Sequence, residues 1–431
     1  MKTLLVYTLP AGKGRTTIEN SLQALQKYLP GSVFPINSKL KIPATIHACT
    51  FDLIFYHYSF LSNKWGGRDK FHERTGPFSC IRGRARFAVA MPQDEYFHSD
   101  LICGFIRDFK VDILYTCCRE EDWETVYPES STGTVLLRRV LTGYFDPDMV
   151  TQSAKFIKPH RERPLDLGYR ARKYPFWLGR HALKKWQVTD IFKTFVGSTE
   201  LKIDLSNEED DAFLGESWFR FLADCRVVLG CEGGASLHDP DGSLRAKVDS
   251  YVAQHKNADF AEVEEKFFPG MDGNISLFAL SPRHFEACAT RTCQVLIEGE
   301  YNNVFKPGVH YIELKKDYSN LAEVVEMLKD KVKCEEIAAN AFTDICMNGK
   351  YTYENFVNSL IADLLNLDTN IVLECGMAGR AERKFLRSLH VHRLVFALRS
   401  VYMNTIWVPM VRLLKKLNLF DPFKKLVVTL K

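Results

Sequence analysis

The sequence predicts an α/β protein built of two parallel-sheet units that face a common cleft, with a basic helical tail behind them. Three observations predict it. Short apolar runs alternate with stretches at helical spacing, the rhythm of parallel sheets covered on both faces. The alternation halts at a polar segment, 155–164, which carries Pro159 and Pro164, and then starts again. The 431 residues, 46% hydrophobic and 26% charged, suit two domains with ordinary cores at roughly 100–200 residues each. The expected limits are 1–160, 161–367 and a tail over 368–431.

In the first half, Leu4-Leu5-Val6-Tyr7 reads as a buried strand, Gly12-Lys13-Gly14 as a loop, and 17–28 as a helix with Ile18, Leu22 and Leu25 on one face. No small-residue cleavage site follows the first ten residues, so a strand is expected there rather than a secretory leader. Further strands are expected at 51–58, 87–91 and 111–116, the last preceded by a helix through Leu101 and Phe105. In the second half, strands are expected at 165–168, 225–230 and 294–297, and helices at 186–195, 320–332 and 353–365. Ligands of such sheets bind beyond the carboxyl ends of the strands, so the loops after strands are where chemistry is sought.

Composition excludes several classes. From Arg383 to Lys431 there are eleven Lys/Arg and one acid, Asp421, whereas the rest carries 46 basic and 52 acidic side chains. An acidic body argues against a nucleic-acid partner and makes the tail the electrostatic device. The twelve cysteines are scattered without a CxxC, which removes zinc-ribbon and thioredoxin readings and leaves reduced core thiols in a cytoplasmic protein. Gly14 stands where a Walker A loop needs Ser or Thr, and no GxGxxG occurs. No run of about 18 uninterrupted apolar residues exists, so no spanning helix is expected. Asp239-Pro240-Asp241-Gly242 contains a D-x-D, but its Pro and Gly mark a turn, and no obligatory metal or cofactor is expected.

Several loops could hold a ligand. Ser281-Pro282-Arg283-His284-Phe285-Glu286 opens a helix whose free N–H groups suit an anion. Glu298-Gly299-Glu300 follows the next strand, where backbone amides can approach a diphosphate. Glu232-Gly233-Gly234 ends another strand and admits close backbone contact. Asp166 to Arg180 is a strand-end loop carrying Arg170, Arg172 and Lys173, with Lys184 and Lys185 beyond; guanidinium forks suit phosphate oxygens. In the first half, Met91-Pro92-Gln93-Asp94-Glu95-Tyr96-Phe97-His98 follows a strand. Asp94 or Glu95, with His98 as alternative, could deprotonate an acceptor hydroxyl; equally, Asp94 could cap a helix beginning near Glu95. His57 reads more simply as a hydrogen-bonded core histidine.

The 281–308 segment resembles the nucleotide-sugar half of GT-B glycosyltransferases, in which a loop and helix carrying a Glu-Ala pair precede a strand and an anion-binding loop. The resemblance extends diffusely over 1–365 and is similar to family 1/4-like and CgeB-like proteins of bacterial surface-polysaccharide synthesis. It implies two Rossmann-like domains and sugar transfer from a nucleotide-sugar substrate to a hydroxyl acceptor. It implies that Glu286 holds the donor ribose, and that Arg170, with Arg172 or Lys184, holds the diphosphate; Arg283, Glu232 and Glu300 complete the donor set. The partner Glu eight residues before Glu286 is replaced by Phe278. A sugar-nucleotide epimerase, or a non-catalytic assembly protein at a membrane surface, is the alternative.

In the tail, apolar residues from Phe385 to Leu417 alternate with Arg387, Arg393, Arg399, Arg412, Lys415 and Lys416, and Pro409 and Pro422 interrupt them. Basic amphipathic helices lie on anionic membranes. The expectation is a cytoplasmic protein, peripheral on the inner membrane face through 383–431, acting on a glycan or lipid-linked acceptor.

Overall fold

A computed structural model describes residues 1–10, 16–197, 199–373 and 379–416. The Gly12-Lys13-Gly14 loop and the tail from Leu417, with Asp421 and Pro422, lie outside the described residues.

The first sheet holds β1 (Lys2–Tyr7), β2 (Ser32–Asn37), β3 (Phe51–Tyr56), β4 (Ala85–Ala90), β5 (Ile113–Thr116) and β6 (Leu136–Arg139). All pairings are parallel, in the order β2-β1-β3-β4-β5-β6. Its central strands are apolar on both faces: Leu4, Leu5 and Val6 are wholly buried, as a sheet with helices on both sides requires. The sequence reading missed β2 because Pro35 lies within it. Pro35 pairs opposite Leu5 on the edge strand, where a missing N–H is tolerated.

The second unit holds β7 (Leu165–Arg170), β8 (Ile203–Ser206), β9 (Cys225–Gly230), β10 (Gly233–Ala235), β11 (Leu277–Ala279), β12 (Cys293–Ile297) and β13 (Ile312–Leu314). Five strands form a parallel sheet, β13-β12-β9-β7-β8, and β10 pairs with β11 antiparallel. In each sheet the order reverses beside the first strand, between β1 and β3 and between β7 and β9. These reversals open crevices at the strand ends. Two doubly wound units facing one cleft are the GT-B layout expected.

The chain leaves the first unit beside Phe145 and returns there: Phe145 N–H donates to Tyr351 O at 3.1 Å, and Tyr353 N–H to Phe145 O at 3.1 Å. Helix Tyr353–Leu367 then packs on the first sheet, burying Phe356, Val357, Leu360 and Leu364 against Leu53, Phe55 and Val89.

From Arg380 to Lys416 the described tail is one helix, Arg380–Tyr402, continued through a π-helical turn, Met403–Trp407, into Val408–Lys416. Pro409 therefore does not interrupt it. A proline removes an N–H and crowds the preceding turn, and the wider π turn just upstream fits that demand. The base of the helix belongs to the body. Phe385 is fully buried, with ring centroids 5.8 Å from Phe34 and 6.2 Å from Phe51. The expectation of no spanning helix counted uninterrupted apolar residues; by length and composition alone, Arg380–Leu414 is long and apolar enough to cross a membrane.

Candidate active site in the cleft between the sheets

The strand-end loops of both units line a cleft of about 930 Å³. The first unit supplies Thr8, Asn63, Asp94 and Cys117; the second supplies Arg172, Tyr174, Gly234 and Ser281. A smaller cavity of about 190 Å³ lies at the second reversal, between Ala171 after β7, Gly230 to Gly233 at the end of β9, and Arg283. Tyr174, Lys185, Gly233 and Ser281 line both.

Lys185 is the cation at this junction. It stands on helix Arg180–Val196 and is only 8% exposed. Its Nζ donates to Gly234 O at 2.8 Å and lies 5.0 Å from the centre of the Tyr174 ring. Among the described residues no carboxylate lies within ion-pair distance of it. Gly234 has φ 98°, and a Cβ there would stand 1.8 Å from Leu277 O, so only glycine brings this carbonyl to the ammonium. The nearby helix end is already used: Asp272 accepts the Arg180 N–H at 3.2 Å, and Ser236 Oγ accepts the His181 N–H at 3.2 Å. Phe278 stacks on the His181 ring at 3.7 Å. Burial, reinforced by the Lys185 charge, pushes the His181 imidazole down to about 3.

The structure separates the expected donor residues. Arg172 lines the cleft, 5.0 Å from the Tyr174 ring. Arg283 lines the smaller cavity, packs on Trp218 and donates to Arg170 O at 2.7 Å. Arg170 itself is a correction. Its Nε donates to Asp211 O, Nη1 to Tyr169 O and Asp204 O, and Nη2 to the Asp204 carboxylate at 2.8 Å. The adjacent Phe213 and Phe221 rings lie 4.8 and 4.6 Å from the guanidinium. No nitrogen is left for a diphosphate, so this arginine ties β7 to β8. Arg170→Leu is expected to cost about 2–4 kcal/mol of stability, read by urea unfolding, while nucleotide affinity of the folded fraction stays unchanged. A selective loss of nucleotide affinity at full stability would refute the structural role.

Lys184 points elsewhere: its Nζ donates to Lys316 O at 3.1 Å. Glu286 lines neither cavity. Its carboxylate accepts from Trp218 Nε1 at 2.7 Å, and burial raises its pKa. Glu232 is 5% exposed and accepts the Tyr301 N–H at 2.8 Å. The loop after β12 therefore spends that amide on a protein carboxylate rather than offering it to a diphosphate. Glu300 is exposed and stands 3.7 Å from Arg119, joining a loop of each unit.

In the first unit, Asp94 is exposed at the cleft wall in a left-handed conformation, φ 54°. Lys64, wholly buried, donates to its carbonyl at 2.8 Å, and Tyr96 OH donates to its carboxylate at 3.0 Å. It caps no helix; the next begins at Ser99. Glu95 also borders the cleft but is committed: Tyr127 OH donates to it at 2.7 Å, the Cys117 N–H at 2.9 Å, and the Thr116 hydroxyl at still shorter range. His98 is a correction. It lines neither cavity and packs against Phe97 and Gly242. His57 is the core histidine expected, bonded to Ser21 and Ser59. Asp239 and Asp241 accept helix-start amides of Leu244, Arg245 and Ser243, so the D-x-D forms the expected turn.

Sequence reasoning passed over Lys185 at the junction of the two cavities and missed the cleft's aromatic wall. Trp65, Tyr96 and Trp177 come from different segments with centroids 6.2–6.4 Å apart. Arg245 lies 5.5 Å from the Trp65 ring and 5.6 Å from that of Trp177. The dense aromatic run 174–177 was the available signal.

No family model matches the chain. A stretch of 118 residues is 25% identical to uncharacterized protein 179R of Invertebrate iridescent virus 6, covering 25% of this chain and 10% of that protein. The chain thus spans about a tenth of that relative's length. Among solved structures, Anabaena HepE in complex with UDP-glucose is similar at a TM-score of 0.46 and 13% identity, over 85% of this chain and 100% of that one. An α-glucosyltransferase in complex with UDP-glucose and DNA containing an abasic site gives 0.49 and 10%, over 85% and 99%. Sucrose-phosphate synthase from Thermosynechococcus elongatus gives 0.42 and 12%, over 86% and 100%. The fold of this chain rests on its own strand order: two doubly wound parallel α/β units in the GT-B layout, with their strand ends turned to one cleft.

Proposed function

We propose that the protein transfers a sugar, a hexose in the simplest case, from a nucleotide-sugar to a hydroxyl of a glycan or lipid-linked glycan in this cleft. The observation that carries the reading is Lys185, a nine-tenths buried residue whose ammonium has one carbonyl partner and, among the described residues, no carboxylate, at the junction of both cavities. An uncompensated buried charge is costly, and a diphosphate would offset that cost. In the reaction the acceptor oxygen bonds to the anomeric carbon as the bond to the diphosphate breaks. Lys185 and Arg172 stabilise the charge that develops on the departing phosphate. Asp94, a cleft carboxylate that accepts from Tyr96 OH and is otherwise open to solvent, takes the acceptor proton when transfer inverts configuration. Aromatic faces at Trp65, Tyr96 and Tyr174 suit the apolar faces of sugar rings.

Thermal unfolding against nucleoside diphosphates and their sugars, with and without divalent metal, tests the reading. About a hundredfold excess over Kd adds roughly 2.7 kcal/mol. Stabilisation by one nucleotide class, independent of metal, is the expected result; stabilisation by none overturns it. The engagement of Arg170, Glu232 and Glu286 within the protein favours a second reading, a body that binds nucleotide-sugar without turning it over. Stabilisation with no release of nucleoside diphosphate across an acceptor panel would select that reading.

A further inference from the structure

The tail helix carries an apolar face that, among the described residues, nothing in the body covers. None of its most apolar 18-residue stretch is buried. Val391, Leu394, Val395, Leu398 and Tyr402 stand at i, i+3, i+4, i+7 and i+11, one stripe at 3.6 residues per turn. All are exposed, Leu394 and Leu398 at 63% each. Val401 and Ile406 extend the exposure along the helix. Surface apolar patches of this kind mark interaction sites. Between Arg383 and Lys416 there are eight Lys/Arg and no Asp or Glu. Arg393, Arg399, Arg412 and Lys416 are exposed.

From this pairing of an apolar stripe with unbalanced positive charge, we infer that the helix from Val391 onward lies in the interfacial layer of an anionic lipid bilayer, held to the body by Phe385 and Leu389. Anionic headgroups complement the arginines while the stripe enters the acyl boundary. A second copy of the chain fits less well. Pairing two copies would bring two basic segments together with no acid in either. A spanning orientation also fits less well, because Arg399 falls inside the apolar stretch. The inference does not rest on the donor site and leaves the cleft open to a lipid-linked acceptor.

The test is co-sedimentation of the full chain with vesicles of phosphatidylcholine alone or mixed with phosphatidylglycerol. The comparison variant is L394E/L398E/V401E, whose exposed positions leave the folded body intact; its thermal unfolding is checked against the parent. Supporting results are binding that needs phosphatidylglycerol, weakens by about tenfold or more in about 0.5 M salt, and falls by about tenfold or more in the variant. Equal binding to both vesicles, or none, overturns the inference. A parent that is dimeric without vesicles and a variant that is monomeric would assign the stripe to a second copy. Retention through an alkaline carbonate wash would replace the interfacial orientation with a spanning one.

Discussion

Lys185→Met is expected to lower sugar transfer by about 10²–10³-fold, the usual loss when one preorganised charge-stabilising donor is removed. Methionine is close to lysine in length and apolar, so it fills the same volume between Tyr174 and Gly234. The fold loses one hydrogen bond, to Gly234 O, and sheds an uncompensated buried charge, so the variant should be as stable as the parent or slightly more so. Transfer should suffer because the leaving diphosphate loses the cation that both cavities share. Steady-state kinetics and donor-induced thermal shift on the same samples separate the effects. A lower kcat together with a lost nucleotide-induced shift is the expected pattern. If transfer persists within about threefold of the parent, the diphosphate sits elsewhere and the assignment of this junction fails. Arg172→Met should act on the same step more weakly, since that side chain is exposed to water, where screening reduces its worth.

The contrast between Lys185 and Arg170 shows what was legible in the sequence. Residue type and strand-end position marked Arg170 as a phosphate ligand and passed over Lys185, which stands on a helix. What separated them was the company each keeps. Arg170 meets Asp204 from β8 and two phenylalanines from 213 and 221, partners distant in sequence that no local pattern reveals. Lys185 is left with a carbonyl because the Gly233–Gly234 strand turns back against Leu277. The architecture was legible because parallel strands buried on both faces must be apolar runs, as at Leu4 to Val6 and Val227 to Leu229. Strands with less apolar content escaped notice, among them β6, whose Leu136 and Leu137 precede two arginines. The place of Asp94 at the cleft followed from its position after β4, but its left-handed backbone was not legible. That conformation is supported by Lys64, thirty residues earlier.

Acidification should unfold the protein steeply below pH 6.5, and buried histidines are the cause. Burial pushes His57 and His181 down to about 3 and His284 to about 4, against 6.5 for a free imidazole. A folded-state pKa below the unfolded one means that the unfolded chain binds more protons between the two values. The stabilisation is therefore fully present above pH 6.5 and is lost as pH falls toward 4. Each such group changes stability by about 1.4 kcal/mol per pH unit, so three together approach about 4 kcal/mol per unit, against a total of about 5–15 kcal/mol. Glu95, Glu232 and Glu286 act in the opposite sense. Burial raises their pKa above 4.5, and protonation of these acids on acidification restores stability. Their shifts are moderated by hydrogen bonds donated to the charged form, three of them at Glu95, whereas His57 has burial alone acting on it. The histidines should therefore win between pH 6.5 and 4.5. Urea unfolding at pH 7.5, 6 and 5 should show a midpoint that falls at each step. His57→Asn keeps an acceptor for the Ser59 N–H that now caps Tyr58–Leu61 but cannot take up a proton. It should reduce the slope by about a third, beside a pH-independent loss of about 1–3 kcal/mol from the Ser21 bond and the ring's packing. A midpoint that holds steady to pH 5, or an unaltered slope in His57→Asn, would place the acid sensitivity outside these imidazoles.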